Sequence, residues 1–325
     1  MRFVIYGAGA IGGTIGGRLF EAGHDVTLIA RGAHAEVLRA RGLELASVAG
    51  SAVLPVPTVE HPADAGLQAG DVVVLAMKSQ DTPSALDALV TAVPADVADE
   101  VAVVCAQNGV ENERAVLRRM PLVYGMSVMC PATHLEPGRV LVHSSPVSGL
   151  LDVGRYPAAP ADDTGRAIAA ALRSATFESE ALDDIMRWKY RKLVLNLTNA
   201  ATAVCGPVDG LRPLLKIVYE EGEACLAAAG VDVASREEDS ERRGDKLRME
   251  PIEGAERGGG SSWQSLVRGL GSIETDYLTG EIVLLGRLHG VPTPANALLQ
   301  HLANDMARSH AAPGDVTVDE ILAML

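Results

Sequence analysis

The stretch RFVIYGAGAIGGTIGGRLFEAGHDVTLIAR, Arg2 to Arg31, decides the fold. A run rich in β-branched and aromatic side chains, RFVIY, leads into GAGAIG at Gly7–Gly12; a helical pattern follows from about Ala10 to Ala22, then a second apolar run, DVTLIA. Strand, glycine turn and helix in that order give a G-x-G-x-x-G pattern its meaning. Gly7 permits the tight turn, Gly9 lets a pyrophosphate approach the backbone, and Gly12 lets the helix pack close to the sheet. The helix start adds unpaired N–H donors and the positive end of a dipole. Gly7, Ala8, Gly9, Ala10, Ile11 and Gly12 are therefore the expected cradle of a dinucleotide.

The end of the second strand selects the nucleotide. An NAD site usually carries an acid there, about 20 residues past the glycines, to bond the ribose 2′-hydroxyl. Here the strand ends at Arg31, and a guanidinium binds a 2′-phosphate through charge-assisted contacts. The expected cofactor is NADPH/NADP. Two further strand ends lie on the edge where ligands collect. Lys78 follows DVVVLAM and Asn108 follows VAVVCA. Lys78 could balance cofactor charge and Asn108 could bond the nicotinamide ribose or a substrate, or each could be a loop-capping group.

Moving outward, short β-branched runs alternate with helical patterns through the first half, the signature of a parallel sheet covered by helices. YGMSVM, RVLVHS and VSGLLDVG read as hairpin-like additions to the same sheet. The texture changes near Ala175. Beyond Asp183 the chain reads as long helices: Ile185–Ala203, Leu211–Ala229, Ser262–Gly269, Glu274–His289 and Ala295–His310. The expected fold class is α/β plus all-α. A Rossmann-type doubly wound sheet domain spans 1–175, and a helical substrate and catalytic domain spans 176–325. Thr293 is the expected N-cap of the last long helix, with Pro294 at its first position. The charged segment from Ser235 to Gly260 reads either as an exposed helix plus loop or as a mobile flap.

Bulk properties narrow the classes. At 325 residues with 48% hydrophobic side chains, two cores are affordable, while a net charge of −14 and 3% aromatics argue against nucleic-acid binding. Cys105, Cys130, Cys205 and Cys225 have no metal-ligand spacing, so free thiols in a reducing compartment are expected, and no metal site. Met1-Arg2 leads straight into the first strand and no apolar run approaches the roughly 20 residues of a membrane span. A cytoplasmic location with no membrane partner is the expectation.

RKLVLNLTNAATAV, Arg191 to Val204, reads as a helix that is apolar on most faces yet carries Lys192, Asn196 and Asn199. At about 100° per residue these three fall within roughly 60° of one another. That stripe is either a solvated face or the lining of a cleft.

Taken in order, GAGAIG, Arg31, Lys78, QNGV at Gln107–Val110, the WKYRKLVLN helix and SIETDYLTGEI at Ser272–Ile282 resemble the ketopantoate reductase family over essentially the whole chain. The resemblance implies an NADPH-dependent reduction of a 2-oxo acid, 2-dehydropantoate, to its 2-hydroxy acid on the way to pantothenate. The family's essential lysine corresponds to Lys192 and its first amide partner to Asn196. Its second asparagine stands eight residues past the lysine, where this chain has Asn199 at seven. The substrate-binding serine corresponds to Ser262 and the catalytic glutamate to Glu274. Between them this chain departs from the usual charged pattern with WQSLVRGLGS.

Hydride transfer to a ketone builds negative charge on oxygen, so the site needs a proton donor. Lys192 suits that role if burial makes its ammonium more acidic, with Asn196 and Asn199 orienting substrate groups beside it. Glu274 would tune the lysine or simply sit at a helix start. Ser262 would bond the substrate carboxylate or cap the helix after the glycines. Alternatives are a family enzyme acting on another oxo acid and a non-catalytic NADPH-binding sensor. A helical second domain also offers a surface for a homodimer.

Overall fold

The computed structural model describes residues 1–252 and 259–325. It divides into two compact units: Met1–Lys189 with Glu237–Glu256, and Tyr190–Arg236 with Arg257–Leu325.

The first unit is built on a nine-stranded sheet. Arg2–Tyr6 lies near its middle, parallel to Asp25–Ile29 on one side and Val72–Leu75 on the other. Ala102–Cys105 and Val123–Met129 continue the parallel set, and Gly149–Tyr156 joins antiparallel. The parallel strands read as continuous apolar runs because both faces are covered. Phe3 and Ile5 enter one core with Ile15 and Leu19 of helix Ala10–Glu21; Val4 and Tyr6 enter the other with Leu86 and Leu89 of helix Thr82–Ala92. This places the turn Gly7–Gly9 at the carboxyl end of the first strand.

RVLVHS does not extend that sheet. Its strand, Arg139–Val142, pairs parallel with Leu43–Ser47 in a separate four-stranded sheet that also holds Gly50–Leu54 and Ala132–Thr133. The small sheet packs on the outer side of helix Ala10–Glu21, where Gly17 leaves room for Leu43 and Leu45 and Gly13 for Val140.

The sheet unit also runs past the textural change at Ala175. Phe177–Glu178 and Ala181–Leu182 pair with Gly149–Tyr156, so they belong to the sheet. The chain returns to this unit later: Leu247–Met249 pairs antiparallel with Ser144–Pro146. Arg242, on helix Arg236–Arg243, grips buried Asp152 with Nη2 and Nε at 2.6 and 3.0 Å. The charged segment is thus held to the sheet unit at its helix and its strand, neither of which is a free flap. Its glycine-rich end, 253–258, lies outside the described residues.

The second unit is helical. Its core draws on Leu193, Leu197, Ala201, Val218, Cys225, Ile282 and Leu299, all buried. Helix Pro294–Ser309 starts with Thr293 at the N-cap position and Pro294 behind it, but the threonine side chain makes no capping bond. Buried Glu221, from helix Arg212–Ala228, does this instead: Oε1 and Oε2 accept from the N–H groups of Ala295 and Asn296, each at 2.9 Å. A carboxylate at an N-terminus satisfies orphan donors and complements the dipole. Among the described residues no helix is long and apolar enough to cross a membrane.

Candidate active site

The phosphate turn separates two kinds of glycine. Gly7 has φ +101°, and a side-chain carbon there would stand 2.7 Å from the Met77 nitrogen; at Gly12 it would stand 2.1 Å from the Gly7 carbonyl oxygen. Both are glycine because the protein's own atoms leave no room. At Gly9 nothing lies within 4 Å of that place except His134 Cδ2, at 3.9 Å. The fold tolerates a side chain there; a pyrophosphate approaching the helix start would not. The turn therefore fits a dinucleotide on its own geometry.

Arg31 occupies the N-cap position of helix Gly32–Arg41 and is exposed. Its charge reaches Tyr6, at the end of the first strand: burial raises the Tyr6 phenol's pKa, and Arg31 opposes the rise. Lys78, half-buried, stands before the single turn Ser79–Asp81 and makes no side-chain cap there. Asn108 sits in a loop that is held through its backbone. Its carbonyl accepts from the Ser79 hydroxyl and the Asn112 amide, both at 3.3 Å. Asn112 also accepts from Thr82, which in turn accepts from the Gln107 amide, at 2.8 and 2.7 Å.

Beneath this loop lies a buried ion pair. Lys189 Nζ is 2.5 Å from Glu113 Oε1 and donates to the carbonyls of Gln107 and Cys105 at 2.9 and 3.3 Å. Burial pushes the Glu113 carboxyl up, against the opposing pull of the Lys189 charge, and burial pushes the Cys105 thiol well up. Burying both charges is costly, and their mutual attraction together with the two carbonyls offsets that cost. Sequence reasoning passed over Lys189 and Glu113, because a lysine in a WKYRK run and a glutamate in ENER look solvated.

It passed over His34 and His134 as well. The Gly138 N–H donates to His34 Nδ1 at 2.9 Å, and His34 Nε2 meets the Ala8 carbonyl at 2.8 Å. The His134 ring lies 4.3 Å from that of His34 and donates from Nδ1 to the Arg139 carbonyl. The only signal in the sequence was a histidine three residues beyond the strand-end arginine.

In the helical unit, Lys192 and Asn196 stand one turn apart on helix Ile185–Asn196, the lysine half-buried and the amide buried. The expected single helix Ile185–Ala203 is two helices. Leu197 turns between them, its N–H bonded to Val194 O at 3.2 Å, and the second helix runs Thr198–Cys205. The Thr198 hydroxyl takes the Leu195 carbonyl at 3.1 Å, a local bond that competes with helix continuation. Asn199 thus belongs to the second helix, and a constant angle per residue does not fix its direction. Its Oδ1 lies where Gly260 must stay small, 2.8 Å from a side-chain carbon built there. Gly260 is the N-cap of helix Ser261–Val267, and Ser262 lies buried inside the first turn. The serine is therefore not the cap, and Asn199 and the start of the Ser262 helix are neighbours. Glu274 opens the short turn Glu274–Tyr277, a helix-start position, and is 2 % exposed.

The sequence matches the family described as ketopantoate reductase PanE/ApbA over residues 3–157, and that family's C-terminal domain over residues 184–307. The chain belongs to the ketopantoate reductase family. A relative from Mesorhizobium japonicum, named 2-dehydropantoate 2-reductase, is 30% identical, the alignment covering 90% of this chain and 94% of its own. The crystal structure of a PanE/ApbA family ketopantoate reductase from Ralstonia eutropha JMP134 has a TM-score of 0.78 at 29% identity, covering 95% of this chain and 99% of its own. The ternary structure of D-mandelate dehydrogenase with NADH and anilino(oxo)acetate shares the fold, with a TM-score of 0.78 at 21% identity and the same coverage. The C-terminal domain match begins at residue 184, one residue before helix Ile185–Asn196. The GAGAIG turn, Arg31, Lys78 and Asn108 all lie in the sheet unit of this family member, and Lys192, Asn196, Asn199, Ser262 and Glu274 all lie in its helical unit.

Proposed function

We propose that this protein is an NADPH-dependent 2-oxo acid reductase, converting 2-dehydropantoate to pantoate. The observation that carries the reading is the burial of Asn196, Ser262 and Glu274 in one helical unit with half-buried Lys192. Polar side chains are rarely kept from water in a helical core without a use.

Gly7–Gly12 would hold the pyrophosphate, Arg31 the 2′-phosphate, and Lys78 and Asn108 the remainder of the nucleotide. The bound nicotinamide supplies the hydride. Lys192 donates its proton to the substrate carbonyl oxygen as negative charge grows there, leaving a hydroxyl and a neutral amine that water reprotonates. The Ser262 hydroxyl donates to the substrate carboxylate. Asn196 and Asn199 hold the substrate's hydroxyl end, and Glu274 orients the lysine and the substrate. Arg31 in place of a strand-end acid favours NADPH over NADH.

The test is a panel of 2-oxo acids assayed by loss of reduced-nicotinamide absorbance, with each cofactor. The highest kcat/KM is expected for 2-dehydropantoate with NADPH. Turnover of no oxo acid, or a preference for NADH, would overturn the assignment. A cytoplasmic setting goes with this reading, supported by Cys105, Cys130, Cys205 and Cys225 forming no disulfide. So does a homodimer, supported by exposed Leu284 and Leu288 one turn apart on helix Thr279–His289; molar mass in solution decides it.

A further inference from the structure

The His34 imidazole joins two backbone segments of the sheet unit: the phosphate turn at Ala8 and the loop before strand Arg139–Val142 at Gly138. Its proton position follows from its partners. A backbone N–H donates to Nδ1, so Nδ1 carries no proton; the ring hydrogen is on Nε2 and is donated to the Ala8 carbonyl. The ring is further fixed by His134, tilted against it at 4.3 Å and itself tied to the Arg139 carbonyl.

The partner atom gives this bond its meaning. Ala8 lies between the two glycines of the turn, and the Ala8–Gly9 peptide is trans. In a trans peptide the carbonyl and the following N–H point in opposite directions. Holding the Ala8 oxygen against His34 therefore turns the Gly9 N–H away from it. Gly9 is also the N-cap of helix Ala10–Glu21, the position with open space in place of a side chain. Glycine-rich turns flip their peptides easily, and a flip here would exchange an N–H donor for a carbonyl oxygen facing the phosphates.

We propose that His34 is a positioning residue for the dinucleotide. As a neutral imidazole bridging Ala8 O and Gly138 N–H, it locks the Ala8–Gly9 peptide in the orientation that offers the Gly9 N–H to the pyrophosphate. His134, its ring tilted against the imidazole, keeps it in place by packing. This rests on the dinucleotide reading above and adds a residue that acts through the backbone of the turn.

The test compares His34→Leu, which keeps the bulk, with His34→Gln, whose amide supplies one donor and one acceptor, and His34→Ala as a second ablation. NADPH binding is titrated by nicotinamide fluorescence, and steady-state rates are measured at saturating NADPH. His34→Leu and His34→Ala should raise the NADPH Kd at least about tenfold while kcat at saturation stays within about twofold. His34→Gln should bind within about threefold of the unmodified protein. A role in packing alone would not be rescued by an amide. Unchanged NADPH affinity in the Leu and Ala variants, or an equal loss in the Gln variant, overturns the proposal. If the unmodified protein binds NADPH but reduces no oxo acid, the activity assigned above fails while the brace stands; if it binds no NADPH, both fail.

Discussion

The two kinds of glycine in the phosphate turn make opposite demands, and this can be measured. Gly9→Ala should leave the urea midpoint nearly unchanged, within about 0.5 kcal/mol of stability, and weaken NADPH binding at least about tenfold. Gly12→Ala should lose folded protein outright, since its new carbon meets the Gly7 carbonyl oxygen at 2.1 Å. Equal stability of the two variants would mean that Gly9, too, serves the fold. Lys192→Ala should lower kcat at least about a hundredfold with the NADPH Kd near normal; retained turnover would remove the lysine from the chemistry. The turn and Arg31 were legible in the sequence because their spacing to a strand and a helix is a local matter. His34 and Lys189 were not, because their partners lie 26 and 104 residues away in one case and 76 to 84 in the other. Nothing in a local pattern separates a histidine that reads a distant carbonyl from one that faces water.

Secondary structure was legible where its period was uniform and failed where a side chain interrupts it. The parallel strands declared themselves, whereas the helix carrying Lys192 gave no apolar break at Leu197. The Thr198 hydroxyl that redirects the chain is a neutral residue in any propensity count. The start of helix Pro294–Ser309 was found by its Thr-Pro pair, yet its cap comes from Glu221 on another helix. Glu221→Ala should therefore destabilise the protein by about 2–3 kcal/mol in urea unfolding, more than loss of a typical exposed cap. An effect below about 0.5 kcal/mol would return the capping role to Thr293. Strand Val123–Met129 and helix Asp163–Ser174 are linked in a comparable way, Tyr124 donating to Asp162 Oδ2 at 2.7 Å. Burial, reinforced by that bond, pushes the Tyr124 phenol up to about 12. The folded form then holds the phenolic proton more tightly than the unfolded chain, whose value is about 10. This contribution is complete below pH of about 10 and is lost as pH rises toward 12. Tyr124→Phe should flatten that alkaline loss when unfolding is followed at stepped pH; an unaltered slope would assign the loss to other groups.

Across the whole chain, the alternation of strands and helices announced a sheet domain followed by a helical one, and the interleaving of the two was hidden. Residues 237–252 carry no apolar period and look like a solvated charge run, but their arginine answers a buried acid. Asp152, 4 % exposed, has its carboxyl raised by burial and drawn back by Arg242. Arg242→Ala should cost about 3–5 kcal/mol, because it leaves that carboxylate buried without its cation. A loss under about 1 kcal/mol in urea unfolding would show the bridge to be a surface pair in effect. The same interleaving governs how the protein is made. A nascent chain that has emerged only to Lys189 lacks both Arg242 and the strand that borders Ser144–Pro146. All of Tyr190–Arg236, the first stretch of the helical unit, must leave the ribosome before the sheet unit can close, so that unit is completed only after part of the other has been made.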